Sequence, residues 1–279
     1  MSLQAVTCSE CGGAVAMEIG AEHPTCLFCG STALTRAEIP EEVEPPGGMV
    51  PFTADEAAAD AAFRTFAKSS IWYPSDIRHA RLELKPLLLP AWVWSGEIET
   101  HYAGLVRSST RSGKRPVSGQ HIAQLTGVLV PASSALTRAE LAAISPFDCG
   151  GEQPFVPDDL DVPYELGLLT RTAATEAAHV SMQRLHSGQL SGEVGASSLN
   201  VSCLYRDMVG RPLLLPVYIG TYRRGKDYYR VVISGQTAAL TGTAPLSLWK
   251  ILGAIFAGLG CLGMVVLFFT LAGAIATQF

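Results

Sequence analysis

The sequence predicts an α+β fold in three parts: an N-terminal zinc ribbon, a β-rich middle with two related strand units and two helices, and a C-terminal transmembrane helix. Three observations support it. Two CxxC pairs lie within the first thirty residues, the run PLLLP occurs twice, and an uncharged apolar stretch ends the chain. The predicted parts are a zinc ribbon at 1–35, an acidic proline-rich linker at 36–52, an α+β domain at 53–246 and a membrane anchor at 247–277.

Charge and length limit the classes of function. The 279 residues suggest more than one structural unit, and the net charge is −5. Residues 1–80 carry eleven acidic and four basic side chains, which argues against nucleic acid as a partner because phosphates require clustered Lys and Arg. No signal sequence precedes Cys8, so we expect the N-terminus to stay in a reducing compartment.

The two cysteine pairs predict a structural metal site. Cys8 and Cys11 form one CxxC pair, Cys26 and Cys29 form the other, and fourteen residues separate them, which is close to the usual zinc spacing. Four thiolates complete a tetrahedral site with no open position, so the predicted cofactor is one structural Zn²⁺ without a catalytic role. A redox dithiol is the alternative interpretation, and His23 is not needed as a ligand.

The C-terminal segment predicts a single membrane crossing. Residues 251–276 contain no charge and would span about 39 Å as a helix, while Trp249 and Lys250 stand at its start. We expect lipid contacts through residues 249–276, an N-terminus in the cytoplasm and a location in the cytoplasmic membrane. Small residues four apart would permit helix–helix self-association. A buried core helix is the alternative.

Two helices are predicted in the middle of the chain. Thr53 and Glu56 form a capping-box pattern at the start of the first helix. The second covers residues 172–188 and ends at a glycine. It carries His179 and His186, whose spacing of seven does not match the four-residue spacing of metal-binding pairs on helices. We therefore expect these histidines to be packing or surface residues.

A repeated strand pattern fills the rest of the middle. Residues 85–94 read KPLLLPAWVW and residues 211–220 read RPLLLPVYIG, with Trp92 matched by Tyr218. Each run opens a β-rich stretch, and its prolines indicate strand starts or bulges. We infer two related β units that pack against each other. Residues 220–227 almost match the phosphate-binding loop pattern, but Asp227 replaces its hydroxyl residue, and we interpret residues 224–227 as a hairpin turn.

No catalytic motif is recognisable in the sequence. It contains neither G-x-S-x-G nor H-E-x-x-H, and no nucleophile and base stand at a familiar spacing. We assign no catalytic residue and expect the protein not to be an enzyme.

Several motifs together resemble a family of bacterial tail-anchored zinc-ribbon proteins, often labelled primosomal-replication-factor-Y-like or transcription-factor-type. The similarity covers nearly the whole chain and rests on the ribbon cysteines and on IWYPSDI, LLLPAWVW, HYAG, VLVPAS, SPFD and LLLPVYIGTYRRGKDYYRVVISGQTAALTGTAP. The family usually has Asn and Gly where this chain has Ser234 and Ala238, which implies a looser hairpin turn. It offers no catalytic residues to transfer.

The label of this family implies work on DNA, but residues 1–35 contain three glutamates and no Lys or Arg. The predicted function is instead an adaptor at the inner membrane that recruits a cytoplasmic protein, of unknown identity, through the ribbon. Two alternatives stay open. One is a membrane-tethered nucleic-acid-binding ribbon, and the other is an enzyme with an unrecognised site in the α+β domain.

Overall fold

A long, mostly antiparallel sheet dominates this α+β protein. The computed structural model describes residues 3–10, 12–18, 25–26, 28, 31–36, 43–107, 113–134, 136–157, 160–225, 227–256, 258–260 and 263–264. Residues 248–256 are helical. The strands are β1 (Leu3–Cys8), β2 (Ala14–Glu18), β3 (Leu34–Arg36), β4 (Gly48–Met49), β5 (Leu82–Arg107), β6 (Lys114–Pro131), β7 (Gln153–Pro154), β8 (Ala196–Arg224), β9 (Asp227–Ser234) and β10 (Leu240–Gly242), and the α-helices are α1 (Glu56–Lys68), α2 (Arg138–Ile144) and α3 (Arg171–Val194).

Two sheets make up the fold. The small N-terminal sheet has the order β2-β1-β3. In the large sheet, β5 and β8 lie side by side at the centre, β6 flanks β5, and β9 followed by β10 flanks β8. The short β4 runs parallel to β8 and pairs with β7 on its other side. Two strands, β5 and β8, therefore organise the whole sheet.

The two PLLLP runs pair with each other at the centre of this sheet. Leu89 lies opposite Leu215, the same position of the other run, and Pro90 lies opposite Leu214. All six leucines of the two runs are buried, with at most 2% of their surface exposed. A pseudo-two-fold axis therefore passes between Leu89 and Leu215. We call residues 85–94 repeat 1 and residues 211–220 repeat 2.

The segment before each long helix follows the same symmetry. Val50 donates its N–H to Leu214 O of repeat 2 at 2.8 Å, and Glu165 donates its N–H to Leu88 O of repeat 1 at 2.8 Å. Leu88 and Leu214 occupy equivalent positions of the two runs. Val50 and Glu165 are therefore structural equivalents. We call residues 48–55 lead segment 1 and residues 163–170 lead segment 2.

Each lead segment ends at a helix cap. The side chain of Asp55 accepts from Ala58 N at the start of α1, and that of Thr170 accepts from Ala173 N at the start of α3. Both caps stand five residues after the equivalent positions in the two lead segments. The start of each helix is thus part of the repeated unit.

In each half, an aromatic side chain of the sheet donates a hydrogen bond to the backbone just before the helix, and this bond holds the start of the helix against the sheet. Tyr218 of repeat 2 donates its hydroxyl to Ala54 O at 2.9 Å, and Trp92 of repeat 1 donates its indole N–H to Leu169 O at 3.4 Å. Ala54 and Leu169 each directly precede a helix cap. Because lead segment 1 contacts repeat 2 and lead segment 2 contacts repeat 1, the two halves of the domain are interlocked.

Three apolar clusters stabilise the two faces of the sheet. The α3 cluster contains Trp92, Trp94 and Met182, and the α1 cluster contains Phe63 and Tyr222. The third cluster lies around the leucines of both repeats and includes residues of α2. Because the centre of the sheet is covered on both faces, its strands are continuously apolar rather than alternating.

The start of α1 differs from the predicted capping box. Asp55, not Thr53, is the N-cap. Thr53 instead donates its hydroxyl to Gln236 O at 3.1 Å and its N–H to Gly235 O at 2.9 Å. The tertiary contact with the β9–β10 turn therefore uses the hydroxyl that the local pattern assigned to the cap.

The end of α3 differs from the predicted stop at Gly188. The helix continues to Val194 and ends at Gly195, which adopts a left-handed φ of 70°. Its buried residues recur every fourth position and end with Leu190. Gly188 lies on the exposed side of the helix, so it does not interrupt the buried face.

Part of the predicted acidic, proline-rich linker at 36–52 belongs to the fold. Gly47 donates its N–H to Pro212 O at 2.9 Å, Gly48–Met49 forms β4, and Val50 is fully buried. Residues 37–42 of the linker lie outside the described residues. Strand pairing with repeat 2 thus orders the end of a segment whose composition is typical of a linker.

The predicted membrane anchor is contradicted by the described structure. Among the residues described, no helix is both long and apolar enough to cross a bilayer. This finding corrects the predicted transmembrane helix over 247–277 and the inner-membrane location derived from it. Residues 257, 261–262 and 265–277 of the predicted span lie outside the described residues.

The predicted zinc-ribbon fold class also requires correction. The described parts of the chain contain no group of three or more His, Cys, Asp or Glu side chains placed to hold a metal ion. The N-terminal unit is therefore described as a three-stranded sheet, and zinc is not part of the observed fold class. Cys11 and Cys29 lie outside the described residues.

The turn after β9 generates a stability prediction. Ala238 has a φ of 55°, a left-handed conformation that costs a residue with a Cβ about 1–2 kcal/mol. We expect Ala238→Gly to raise the free energy of unfolding by about 0.5–1 kcal/mol, measured by urea denaturation. Ala239→Gly is the matched control, because its φ is not positive, and it should lower stability. Equal losses in both variants would contradict the strain argument.

Candidate functional sites

Two of the four predicted zinc ligands lie within the described residues, in a buried cluster. Cys8 and Cys26 are buried, and β1 ends at Cys8. A tight turn follows, in which Gly12 donates its N–H to Cys8 O at 2.8 Å with a φ of 75°, which suits glycine. Cys11 and Cys29, the other two predicted ligands, lie outside the described residues. The assignment of the four cysteines to one structural Zn²⁺ stays a prediction that metal analysis would test.

A partly open cavity of ≈ 260 Å³ lies beside Trp92. A single water needs only ~10–15 Å³ of such volume, and small-molecule sites begin near ~300 Å³. Lead segment 2 forms one wall, and residues 43–47, which we call the strap, cover the cavity. The lining residues are Val43, Glu44, Pro45, Pro46, Pro90, Ala91, Trp92, Ala132, Phe155, Pro157, Tyr164, Glu165, Leu166, Gly167, Leu169, Pro212 and Leu213.

Three side chains, those of Glu165, Tyr164 and Glu44, are the acidic or hydroxyl groups among the described residues that line this cavity, and most of the others are apolar. Glu165 is fully buried, and its Oε1 accepts from both the N–H and the hydroxyl of Ser134, each at 2.9 Å. Tyr164 contributes a phenol whose pKa is raised by burial, so it remains a neutral hydroxyl. Glu44 is the third polar group. The cavity therefore combines aromatic and proline surfaces with two carboxylates.

An ion pair holds the strap over the cavity. Arg171 binds Glu44 through two nitrogens, with Nη2 2.7 Å from Oε2, and its Nη1 donates to Gly210 O at 3.1 Å. The hydrogen bond from Arg171 lowers the pKa of Glu44. The guanidinium also lies 4.9 Å from the ring centre of Trp92, a cation–π distance. Arg171 thus connects the strap, β5 and the start of α3.

A second, open groove of ≈ 640 Å³ runs along the end of β6. The α2 helix forms one side and α3 forms the other, so the edge of the sheet lies at the bottom. The lining residues are Thr126, Gly127, Val128, Leu129, Pro131, Arg138, Ala139, Leu141, Ala142, Ser145, Pro146, Phe147, Ser181, Arg184 and Leu185.

The histidines of α3 have different environments. His186 is only 1% exposed and faces the sheet, where its Nε2 lies 3.2 Å from Nδ1 of His121 on β6. His179 stacks on Tyr205 at a ring distance of 4.1 Å. Burial is the main cause that raises the pKa of Tyr205 to about 12. Both histidines of α3 pack against the sheet.

Sequence reasoning missed Glu165, Gly167 and the groove. The cavity combines residues from six separate stretches of the chain, so no local motif marks it. Lead segments 1 and 2, GMVPFTAD and PYELGLLT, share no identical position, and this hid their structural equivalence. The exposed arginines of the groove carry no distinctive spacing either.

No family model, no curated protein and no solved structure matches the chain. The resemblance to tail-anchored zinc-ribbon proteins therefore remains a prediction from sequence motifs.

The buried histidine predicts a pH dependence of stability. Burial, and then the neighbouring His121, lower the pKa of His186 below its usual value of 6.5, whereas Glu193 opposes this shift. The unfolded chain therefore binds this proton more readily than the folded chain, and stability should fall as the pH decreases through 6.5. Urea midpoints at neutral and mildly acidic pH measure this loss.

The variant His186→Phe should reduce this acid-induced loss of stability, because the buried site no longer binds a proton. His79→Phe is the control, since His79 is exposed at the end of a short 3₁₀ helix. If His186→Phe and His79→Phe keep the same pH dependence as the unmodified protein, the argument from buried His186 is wrong.

Proposed function

We propose that the protein is an adaptor that binds an extended, acidic peptide segment of a partner protein at the edge of β6. The single observation that carries this proposal is the groove along that edge. It offers unpaired backbone, apolar walls and positive charge in one place. Binding would add a strand to the sheet, a recurring mode of peptide recognition.

The backbone of β6 supports strand addition. Within the described residues, β6 pairs with β5 alone. Ala132 donates its N–H to Pro90 O at 3.1 Å, and ladder bonds alternate along an antiparallel pair. The backbone groups of Val128 and Val130 therefore face β5, and those of Leu129 face the groove. Pro131, which has no N–H, limits the length of strand that can pair.

The walls of the groove supply side-chain contacts. Leu141 and Phe147 approach from the α2 side, while Leu185 of α3 is 52% exposed. In an extended peptide, alternate side chains point to opposite faces of the sheet. One set would contact the α2 side and the other would contact the α3 side.

The charges of the groove specify the chemistry of the peptide. Arg138 of α2 and Arg184 of α3 are its charged side chains, and no Asp or Glu is among its described lining residues. Neither arginine takes part in an ion pair with another described residue. A peptide that alternates apolar and acidic residues complements this lining.

Selection from random peptides tests the proposal. Short peptides displayed on beads are selected against the purified full chain, and affinities of selected peptides are measured by fluorescence anisotropy. We expect enrichment of sequences that alternate apolar residues with Asp or Glu, and binding that weakens with salt. The double variant Arg138→Glu/Arg184→Glu should weaken binding about tenfold or more, because two attractions become repulsions.

Two controls make the test specific. The double variant Arg81→Glu/Arg107→Glu changes the same charge at exposed arginines outside the groove and should leave affinity within about twofold. Alternate residues of the peptide would direct their N–H groups toward β6. N-methyl groups on that set should abolish binding, whereas N-methyl groups on the other set should not. Enrichment of basic peptides, or equal losses in both double variants, would refute the proposal.

A further inference from the structure

We propose that the paired histidines His121 and His186 form an acid-sensitive latch. When both rings are protonated, the latch releases the last three turns of α3 from the sheet and displaces one wall of the peptide groove. This inference adds regulation to the proposed function and rests on it for the groove, whereas the latch itself rests on the contacts of α3.

The internal symmetry shows that the end of α3 has no counterpart in the other half. The two long helices start at the equivalent caps Asp55 and Thr170, and in both helices buried residues stand four, eight and twelve positions after the cap. Helix α1 ends after 13 residues, whereas α3 has 24. Residues 184–194, which we call the extension, therefore add about three turns to the repeated unit.

The extension contributes to the α3 side of the peptide groove. Arg184 and Leu185 are its first two residues, and both line the groove. Arg184 supplies one of the two positive charges of the groove, and Leu185 supplies apolar surface. A movement of the extension away from the sheet would therefore remove both contacts from a bound peptide.

Few contacts hold the extension on the sheet. His186 and Leu190 are its buried residues, and the others are exposed or half-buried. Gly188 and Gly192 lower the intrinsic stability of this segment as a helix. A helical segment of three turns is also marginal in water by itself. The extension therefore depends on His186 and Leu190 for its place on the sheet.

The geometry of the histidine pair fits only a limited number of protons. Nε2 of His186 lies 3.2 Å from Nδ1 of His121, and the ring centres are 5.0 Å apart. At this distance one of the two nitrogens donates a proton and the other accepts it. His186 is 1% exposed, and its Nδ1 has no hydrogen-bond partner in the part of the chain that the structure describes.

Protonation of both rings removes the contact between them. A first extra proton can reside on the half-buried His121 and leave the hydrogen bond in place. A second proton puts an N–H on both facing nitrogens, so the bond is replaced by repulsion between two cations. It also leaves His186 buried with a charge and with no acceptor at Nδ1 among the described residues. Moving the extension into water relieves both penalties.

The surroundings of the pair supply little negative charge. On the sheet, the row of His121 contains Thr100 and Cys203, and this row and its two neighbours contain no carboxylate among the described residues. The ionisable residues of these three rows are Tyr102, His121, Cys203 and Tyr205, and Arg115 lies two rows further toward the tip. The nearby ionisable residues of α3 are His179, Arg184 and Glu193.

The balance of these effects sets the direction of the pH response. Burial, and then His121, lower the pKa of His186, whereas Glu193 attracts the protonated ring and opposes the shift. The released extension therefore binds this proton more readily than the docked extension does. Release should increase as the pH falls through 6.5, the usual value for histidine.

Peptide affinity at two pH values tests the link between the latch and the groove. A peptide from the bead selection is titrated with the full chain at pH 7.5 and at pH 5.5, and its affinity is measured by fluorescence anisotropy. We expect the affinity to fall at least about tenfold at pH 5.5. The carboxylates of the peptide stay ionised at both values, because their usual pKa values are about 4. Equal affinity at both values would overturn the link.

Two variants assign the pH response to the histidine pair. His186→Phe removes the buried titrating ring, and His121→Gln keeps a hydrogen-bonding group beside Nε2 but cannot carry the second charge. Both variants should bind the peptide with affinities that differ less than about threefold between the two pH values. His79→Phe, which removes an exposed histidine, should keep the full response. A full response in both His186→Phe and His121→Gln would refute the latch.

Hydrogen exchange of the unmodified protein tests the latch without a peptide. We expect the amides of residues 187–193 to lose protection at least about tenfold between pH 7.5 and pH 5.5, after correction for intrinsic rates, and to be less protected than residues 175–182 at the lower pH. This result without any peptide binding would support the latch and refute the adaptor. Peptide binding that is independent of pH, together with unchanged protection of residues 187–193, would refute the latch alone.

Discussion

The antiparallel pairing of the two PLLLP strands is the interaction on which the rest of the structure depends. Leu89 faces Leu215 across the pseudo-two-fold axis, and every other repeated contact follows from this register. Each strand then receives the lead segment of the other half, and the equivalent aromatic, Trp92 or Tyr218, fixes a helix start. Each half of the duplicated domain therefore completes the other. Truncating a buried leucine at this centre would cost about 2–5 kcal/mol.

The duplication also explains where the two candidate sites lie. The two halves share the same backbone contacts but differ in the side chains of their lead segments. Phe52 packs against Tyr218, whereas Gly167 and Glu165 line the open space beside Trp92. The groove begins where this cavity ends, since Pro131 lines the groove and the next residue lines the cavity. Both sites therefore belong to the half around β6.

Part of this organisation could be predicted from the sequence, because it depends on local or repeated patterns. The PLLLP runs indicated related strands, and a helix was indicated in each place where α1 and α3 occur. The predictions of a helix cap at Thr53 and a helix end at Gly188 were wrong, because tertiary contacts outweigh the local sequence patterns at both places. The predicted membrane helix and zinc-ribbon class were wrong for the described residues. Glu165 and Gly167 were missed because they are recognised only by their equivalence to Val50 and Phe52. That equivalence becomes visible only once the strand register is known.

Native-state hydrogen exchange tests the central claim, that the two repeats form one cooperative centre. The account predicts that the backbone amides of Leu89 and Leu215 exchange slowest, at equal free energies of opening that match the global free energy of unfolding. Amides near the β5–β6 tip, such as that of Leu105, should exchange faster. If Leu89 and Leu215 instead exchange with different free energies, each below that of global unfolding, the two halves open independently and the account is contradicted.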